Sequence, residues 1–313
     1  MDKYYIGIDL GGTFIKGGII TKKGEILSKS EVPTETEMGA DRVVQNIANL
    51  VETLIKDSGA KREQIAGIGM GVPGMIDGDA GVVVFAGNFG WSHLPIAKKL
   101  EELTDIKVKI TNDANAAALG EAVFGASKKY NDSVVITLGT GVGGGIIINK
   151  KIFAGFKGAG AEIGHMIIKA GGESCTCGLN GCFESYSSAT ALIRDTKRAM
   201  QANKNSKMWE VGLDNVTGKT PFDYANCDST AKQVVENYLD MLAIGLINVA
   251  NVFRPQAIIL GGGVSKQAGI EKPLQERLNK GIFAGDKGPQ VEVMIASLKN
   301  DAGTYGAAAL FMD

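Results

Sequence analysis

Apolar side chains fill Tyr4 to Asp9 almost without interruption, and the chain then turns at Gly11-Gly12-Thr13. A short apolar run closed by turn residues predicts a buried strand. Phe14 to Thr21 predicts a second strand, and Lys22-Lys23-Gly24 closes a hairpin toward a third. Helical spacing follows over Ala40 to Asp57, a strand over Ile65 to Gly71, a helix around Leu94 to Leu103 and a short strand over Val108 to Thr111. Ala114 to Phe124 is rich in alanine and predicts a buried helix that starts at Asn112-Asp113. Further on, Ser187 to Ala202 has a helical pattern, and polar Asn203 to Lys219 predicts a loop or insertion. Ser229 to Phe253 predicts a long apolar helix stopped by Pro255. A strand over Ala257 to Leu260 leads into Gly261-Gly262-Gly263. The last elements are a strand over Val291 to Ala296 and a small-residue helix over Ala302 to Phe311. Strands alternating with helices define an α/β class.

The pattern repeats. VVITLGTGVGGGIIINKK, from Val134 to Lys151, lies over IGIDLGGTFIKGGIITKK, from Ile6 to Lys23, at an offset of 128 residues. Leu10 matches Leu138, Gly11 matches Gly139, and Lys22-Lys23 match Lys150-Lys151. Two copies of a strand, glycine turn and strand imply a duplicated architecture.

At 313 residues the chain has the length of two ordinary domains. A net charge of -1 gives no general attraction to nucleic acid or an anionic membrane. No apolar run reaches the roughly 18 to 20 residues that span a bilayer. The first residues, MDKYYIGIDLGGT, lack the marks of a signal peptide, so a cytoplasmic location is expected. Disulfides are rare there, and the four cysteines read as metal ligands, buried thiols or redox groups. The 43 glycines are about twice the usual share, and their clustering points to backbone turns that approach phosphate oxygens closely.

Three of these turns follow strands: Asp9-Leu10-Gly11-Gly12-Thr13, Leu138-Gly139-Thr140-Gly141 and Leu260-Gly261-Gly262-Gly263. None has the spacing of the commonest nucleotide loops. Asp113, at a strand-to-helix junction, is either a helix cap or a rigidly held catalytic carboxylate. Glu162 and His165 are three apart and share a face if the segment is helical. His165, Cys175, Cys177 and Cys182 fall within 18 residues and supply four N/S ligands for a closed, structural zinc site. Cys227 is left over.

The motifs DLGGT, GVPG (Gly71 to Gly74), NFGW (Asn88 to Trp91), NDANAAALGE (Asn112 to Glu121), LGTGVGGG, AEIGH, CTCGLNGCFE and LGGGVS run through nearly the whole chain. With them the chain resembles the ROK family (repressor, open reading frame, kinase) of sugar kinases, within the actin-like and hexokinase-like superfamily. The resemblance implies a duplicated actin-like (ribonuclease H-like) fold of two α/β domains around a cleft. The smaller would run over 1–112, completed by a helix at about 300–313. The larger would run over 113–299 and carry the zinc segment 165–182.

The resemblance further implies ATP-dependent phosphorylation of a hexose 6-hydroxyl, with glucose first and N-acetylmannosamine, fructose, mannose or allose as alternatives. Asp113 would be the general base. Gly74, Asn88, Asn112, Asp113, Glu162, His165 and Glu184 would contact sugar, His165 serving zinc and sugar with different ring nitrogens. Asp9, Gly11, Gly12, Thr13, Lys16, Gly139, Thr140, Gly141, Gly261, Gly262 and Gly263 would hold ATP, with Asp9 ordering Mg2+. A homodimer is implied, with neither nucleic acid nor membrane as partner. The family also contains sugar-responsive repressors, but the first glycine turn begins at Asp9, and no helix-turn-helix precedes it in this sequence. A sugar-binding protein without catalysis is opposed by the presence of Asp113 and all three glycine turns.

Overall fold

The computed structural model describes residues 2–267 and 269–312. In chain order the first elements are strands β1 (Tyr4–Leu10), β2 (Phe14–Thr21) and β3 (Ile26–Pro33), helix α1 (Ala40–Ser58), and strands β4 (Ile65–Val72), β5 (Met75–Asp77), β6 (Val82–Ala86) and β7 (Trp91–Leu94). Helix α2 (Ile96–Thr104), strand β8 (Val108–Asn112) and helix α3 (Asp113–Val123) follow. Next come β9 (Ser133–Leu138), β10 (Val142–Ile148), β11 (Lys151–Ile152) and helices α4 (Glu184–Ser187), α5 (Ala189–Ala202), α6 (Thr220–Tyr224) and α7 (Ser229–Phe253). Strand β12 (Ala257–Gly261), helix α8 (Glu271–Gly281), strand β13 (Glu292–Ile295) and helix α9 (Ala302–Ala309) complete the order.

The duplication is visible in the sheets. One has the order β3-β2-β1-β4-β8 and the other β11-β10-β9-β12-β13. In each, a strand–turn–strand unit extends outward from the first strand, and two later strands join on its other side. β1, β4 and β8 are parallel, as are β9, β12 and β13. The fold is the duplicated α/β architecture expected from the repeat, and it agrees with the actin-like fold that the resemblance implies.

The chain divides into two compact units. The first comprises Met1–Asp132, Gly145–Ala161 and Ser297–Asp313; the second comprises Ser133–Gly144 and Glu162–Ala296. One boundary falls inside β10, and α3 lies in the first unit.

In the first unit the sheet is covered on both faces. Val43, Val44, Ile47, Leu50, Val51 and Leu54 form one buried stripe of α1, packed with Ile6, Ile8, Ile15 and Ile19. Each such buried side chain contributes roughly 1.5–3 kcal/mol. On the opposite face the sheet is bare at Gly7 and Gly69, and α9 lies there. A Cβ at Gly7 would stand 1.9 Å from the Thr304 carbonyl oxygen, and one at Gly69 only 1.7 Å from that of Ala307. Helix α3 meets α9 in the same way: a Cβ on Gly306 would be 1.6 Å from the Ala116 carbonyl oxygen. Glu121 of α3 is fully buried. Its carboxylate accepts the amides of Ala126, Ser297 and Leu298 and the Ser297 hydroxyl, so α3 is locked to the turn before α9.

In the second unit, α7 carries a buried stripe that includes Val235, Leu239, Leu242, Leu246 and Val249. Asp228 caps it by accepting the Thr230 amide at 2.8 Å, and the chain leaves it at Arg254 in the left-handed region, just before Pro255. Gly245 interrupts the stripe, and the fully buried Phe183 ring occupies the space a Cβ would take. Phe183 directly follows Cys182, so the cysteine-rich segment is pinned to this core.

Several expected boundaries shift. The helix expected from Leu94 begins at Ile96, because Leu94 ends β7 and Pro95 caps the helix. The helix expected from Ser187 begins at Ala189, because Ser187 ends α4 and the Ser188 hydroxyl caps α5 by accepting the Ala191 amide. The polar stretch over 203–219 holds short 3-10 turns, at Lys207–Glu210 and Leu213–Asn215.

Candidate active site

Within the first unit, Asp9, Asn112 and Asp113 lie at the C-terminal ends of parallel strands, where α/β sheets take their ligands. Asp9, near the end of β1, lies opposite Lys16 on one side and Gly71 on the other. A Cβ on Gly71 would lie 3.5 Å from the Asp113 Cα, so β1, β4 and the start of α3 converge here.

Asn112, not Asp113, caps α3. Its Oδ1 accepts the amides of Ala114 and Asn115 at 2.9 and 3.2 Å, and its Nδ2 donates to the Gly74 carbonyl oxygen at 3.0 Å. Gly74 needs to be glycine: its φ is 110°, and a Cβ would sit 2.3 Å from the Phe85 carbonyl oxygen. Asp113 is the first helical residue, and its Oδ1 accepts the Ala114 amide at 2.9 Å. Helix position alone would hold this carboxyl ionised. Burial outweighs the helical amides and the Asn112 hydrogen bond, and pushes its pKa above the ordinary value.

The Asp9 carboxyl is pushed up to about 6, chiefly by burial and then by the nearby Asp113 charge, with Lys16 opposing. A half-buried carboxylate crowded by another suits a cation. The expected response to pH follows. The folded state holds a proton on Asp9 that the unfolded state has released, so ionised Asp9 costs stability above pH 6, and the cost fades as pH falls toward 4. In chelator and without nucleotide, Asp9→Asn should therefore be more stable than wild type at pH 7.5, by up to about 3 kcal/mol, and equal to it near pH 4. Equal melting temperatures at pH 7.5 would contradict this.

The first glycine turn is tied from behind. The Gly11 amide donates to the Phe14 carbonyl, the Thr34 hydroxyl donates to the Gly11 carbonyl at 2.7 Å, and the Thr34 amide donates to the Thr13 carbonyl at 2.9 Å. Gly12 and Thr13 are left exposed at the tip. Asn88 is exposed in a short 3-10 turn, Gly87–Phe89, braced by the Phe89 and Trp91 rings with centroids 4.5 Å apart.

The second unit gathers the other set. In the turn after β9, the Gly139 amide donates to the Gly141 carbonyl, and the chain behind it supplies three further bonds. The Ala189 amide and the Thr190 hydroxyl donate to the carbonyls of Gly139 and Thr140, both at 2.8 Å, and Glu184 Oε2 accepts the Val142 amide at 2.9 Å. The third glycine turn abuts the second. Gly262 has a φ of 85°, and a Cβ there would lie 2.4 Å from the Leu138 carbonyl oxygen, whereas Gly263 faces open space. Nothing in the sequence singled out Thr34, Ala189 or Thr190, because their roles arise from contacts distant in the chain.

Glu162 and His165 bracket a 3-10 turn, Ile163–His165, in which the His165 amide donates to the Glu162 carbonyl. Glu162 is exposed and His165 half-buried. The turn lies flat on β10: a Cβ on Gly164 would be 2.0 Å from the Val142 carbonyl oxygen. From there the segment folds back on itself. Bridges pair Ile167 with Cys182 and Ser174 with Asn180, and the Cys175 amide donates to the Leu179 carbonyl.

This brings His165, Cys175, Cys177 and Cys182 together, with their ligand atoms all within 4.8 Å of one another. The sulfurs of Cys177 and Cys182 are 3.6 Å apart, and that of Cys175 is 3.7 Å from His165 Nδ1. Tetrahedral zinc, with bonds of about 2.3 Å to sulfur and 2.0 Å to nitrogen, requires ligand separations of about 3.5–3.8 Å. Both contacts fit. The thiols also need a cation in order to ionise together. Burial, with the crowding of Cys177 and Cys175, pushes Cys182 up to about 12. Burial raises Cys175 as well, but hydrogen bonds from the Cys177 amide and thiol, His165 and Cys182 bring it down to about 7. The cluster is thus compatible with structural zinc bound through Nδ1, leaving Nε2 of His165 outside the metal shell. All four cysteines are free of disulfides, Cys227 included.

The candidate residues therefore form two sets. Asp9, Gly11 to Thr13, Lys16, Gly74, Asn88, Asn112 and Asp113 lie in the first unit. Gly139 to Gly141, Glu162, His165, Glu184, the cysteine cluster and Gly261 to Gly263 lie in the second. Among the described residues, no helix is long and apolar enough to cross a membrane.

These features agree with what the chain is similar to. The model of the ROK family matches residues 5–313, and the chain belongs to that family. It is 38% identical to a glucokinase of Halalkalibacterium halodurans, over 99% of this chain and 95% of that protein. Among solved structures, a ROK family glucokinase from Streptomyces griseus, in complex with glucose and AMPPNP, is 35% identical, with a TM-score of 0.80 over 98% of each chain. A ROK hexokinase from Thermus thermophilus is 34% identical, with a TM-score of 0.82 over 97% of this chain and 96% of that one.

Proposed function

We propose that this protein is an ATP-dependent glucokinase, transferring the γ-phosphoryl group of ATP to the 6-hydroxyl of glucose. The observation that carries this reading is the division of labour at the start of α3. Asn112 takes the cap, so Asp113 is not needed for it, and its carboxylate, steadied by the Ala114 amide on Oδ1, can meet a substrate hydroxyl. Similarity to glucokinases over nearly the full chain supports the choice of sugar.

Phosphoryl transfer depends on positioning and charge stabilisation, with little covalent work for the protein. Asp113 orients the 6-hydroxyl and accepts its proton as the new oxygen–phosphorus bond forms and ADP departs. Its raised pKa suits it to hold that proton. Asn88, Asn112, Glu162, His165 and Glu184 bind the sugar hydroxyls, and the Gly74 carbonyl keeps the Asn112 amide in place. The turns at Gly11 to Thr13 and Gly139 to Gly141 hold phosphates, Gly261 to Gly263 lies along adenosine, and Lys16 balances charge beside Asp9. Mg2+ would travel with ATP, neutralise phosphate charge and be ordered by Asp9. Zinc on His165, Cys175, Cys177 and Cys182 is structural in this reading.

Two domains are proposed: a smaller one over 1–112, completed by a helix at about 300–313, and a larger one over 113–299 that carries the zinc segment 165–182. The protein is proposed to be a cytoplasmic homodimer. ADP release should be measured with glucose, mannose, fructose, allose and N-acetylmannosamine. Glucose should give the highest kcat/KM. A higher value for another sugar would reassign the substrate and keep the chemistry, whereas no release with any sugar would overturn the kinase reading.

A further inference from the structure

Glu184 sits where three features of the second unit meet. It is the first residue of α4 and stands two residues after Cys182. Oε2 accepts the Val142 amide at 2.9 Å and lies so close over Gly141 that a Cβ there would be 2.2 Å away. Oε1 faces the other way, 3.5 Å from the Thr176 hydroxyl and 3.8 Å from the Cys175 sulfur. One side chain therefore spans from the cysteine-rich segment to the glycine turn after β9. The same short stretch of chain ties that turn twice more, through the Ala189 amide and the Thr190 hydroxyl. Phe183, buried against α7, fixes the backbone from which Glu184 projects.

We propose that Glu184 is a positioning residue for the nucleotide: it holds the Gly139 to Val142 turn in the shape that receives ATP phosphates. This is separate from any contact it makes with sugar. The inference rests on the kinase reading and on the assignment of that turn to phosphate. It makes the cysteine-rich segment a support for both substrates, because the side chain that would reach sugar also braces the phosphate turn. The turn gains little from packing of its own, since nothing lies within 4 Å of where a Gly139 Cβ would be.

The sign of the effect separates this role from simple proximity. A carboxylate near a triphosphate repels it, so removing the charge alone should tighten nucleotide binding. Removing a brace should weaken it. Glu184→Ala loses both charge and acceptor, while Glu184→Gln loses the charge and keeps an oxygen for the Val142 amide.

The test is calorimetric titration of the full chain with Mg2+ and AMPPNP in the absence of sugar, and separately with glucose. Glu184→Ala should weaken AMPPNP binding about 10-fold, the loss expected of one charge-assisted hydrogen bond. Glu184→Gln should bind AMPPNP as wild type does, or more tightly, while binding glucose less well. Thr190→Val, which removes the bond to the Thr140 carbonyl, should weaken AMPPNP about 3-fold and leave glucose unaffected. If Glu184→Ala binds AMPPNP as well as wild type, or if Glu184→Gln loses as much affinity as Glu184→Ala, the brace is overturned. Should Glu184→Ala fail to fold, wild-type affinity in Thr190→Val together with loss in Glu184→Gln overturns it equally. Wild type that does not bind AMPPNP at all would instead count against the kinase reading.

Discussion

Asp113→Asn should slow glucose-dependent ADP release by about 10²- to 10⁴-fold, the range for loss of a general base. The fold should survive, because Asn112 supplies the cap of α3 and keeps its bond to the Gly74 carbonyl. The variant removes a carboxyl disfavoured by burial, so its melting temperature should equal or slightly exceed that of wild type at neutral pH. Glucose should still bind, more weakly. The measurements are steady-state turnover at saturating ATP and glucose, and a thermal melt on the same preparation. Turnover above about a tenth of wild type in a folded variant would place the proton elsewhere.

Cys177→Ser should lose the metal, lower the melting temperature sharply and weaken both substrates. Binding of structural zinc can supply roughly 10 kcal/mol or more of local folding free energy. The end of the segment that carries Cys177 is its loosest part: Gly178 and Gly181 both have positive φ, and Cys177 itself is exposed. Weaker glucose binding follows from displacement of His165, which provides both a cluster nitrogen and the free Nε2. Weaker nucleotide binding follows from release of Glu184. Elemental analysis should give one zinc per wild-type chain and none in the variant. Wild-type protein that is metal-free and fully active, or a metal-free variant that binds glucose normally, would rule out a structural zinc.

Much of this was legible in the sequence, for identifiable reasons. The repeat at an offset of 128 residues exposed the duplicated sheets, because β1, β2, β9 and β10 are dense apolar runs punctuated by glycine. Helix α7 was readable to both ends, since its stripe is long and Pro255 ends it. The small sheet β5-β6-β7 was not. Met75–Asp77 is only three residues long, and its pairing partners rather than its own pattern make it a strand. Helix α8, EKPLQERLNKG, was missed because only Leu274 and Leu278 are buried and a proline falls inside it. Within the candidate site, residue types pointed to Asp113 and the cysteine cluster. Which of Asn112 and Asp113 is the cap was decided by hydrogen-bond geometry, and the role of Glu121 by amides 176 and 177 residues away. That a charged residue sat in an alanine-rich helix was the one available hint.

The seating of α9 on Gly7 and Gly69 has a consequence for synthesis. Strands β1 and β4 lie far upstream in the chain of the helix that covers their bare face, residues 302–309. Until residues 302–309 emerge, the nascent amino-terminal sheet keeps one side open to water and to neighbouring chains. Its glycines offer an intruding apolar segment the same close approach that they offer α9. A chain cut before residue 302 would keep most of the candidate active-site residues and leave that glycine face uncovered, so it should need chaperone cover where the longer chain does not.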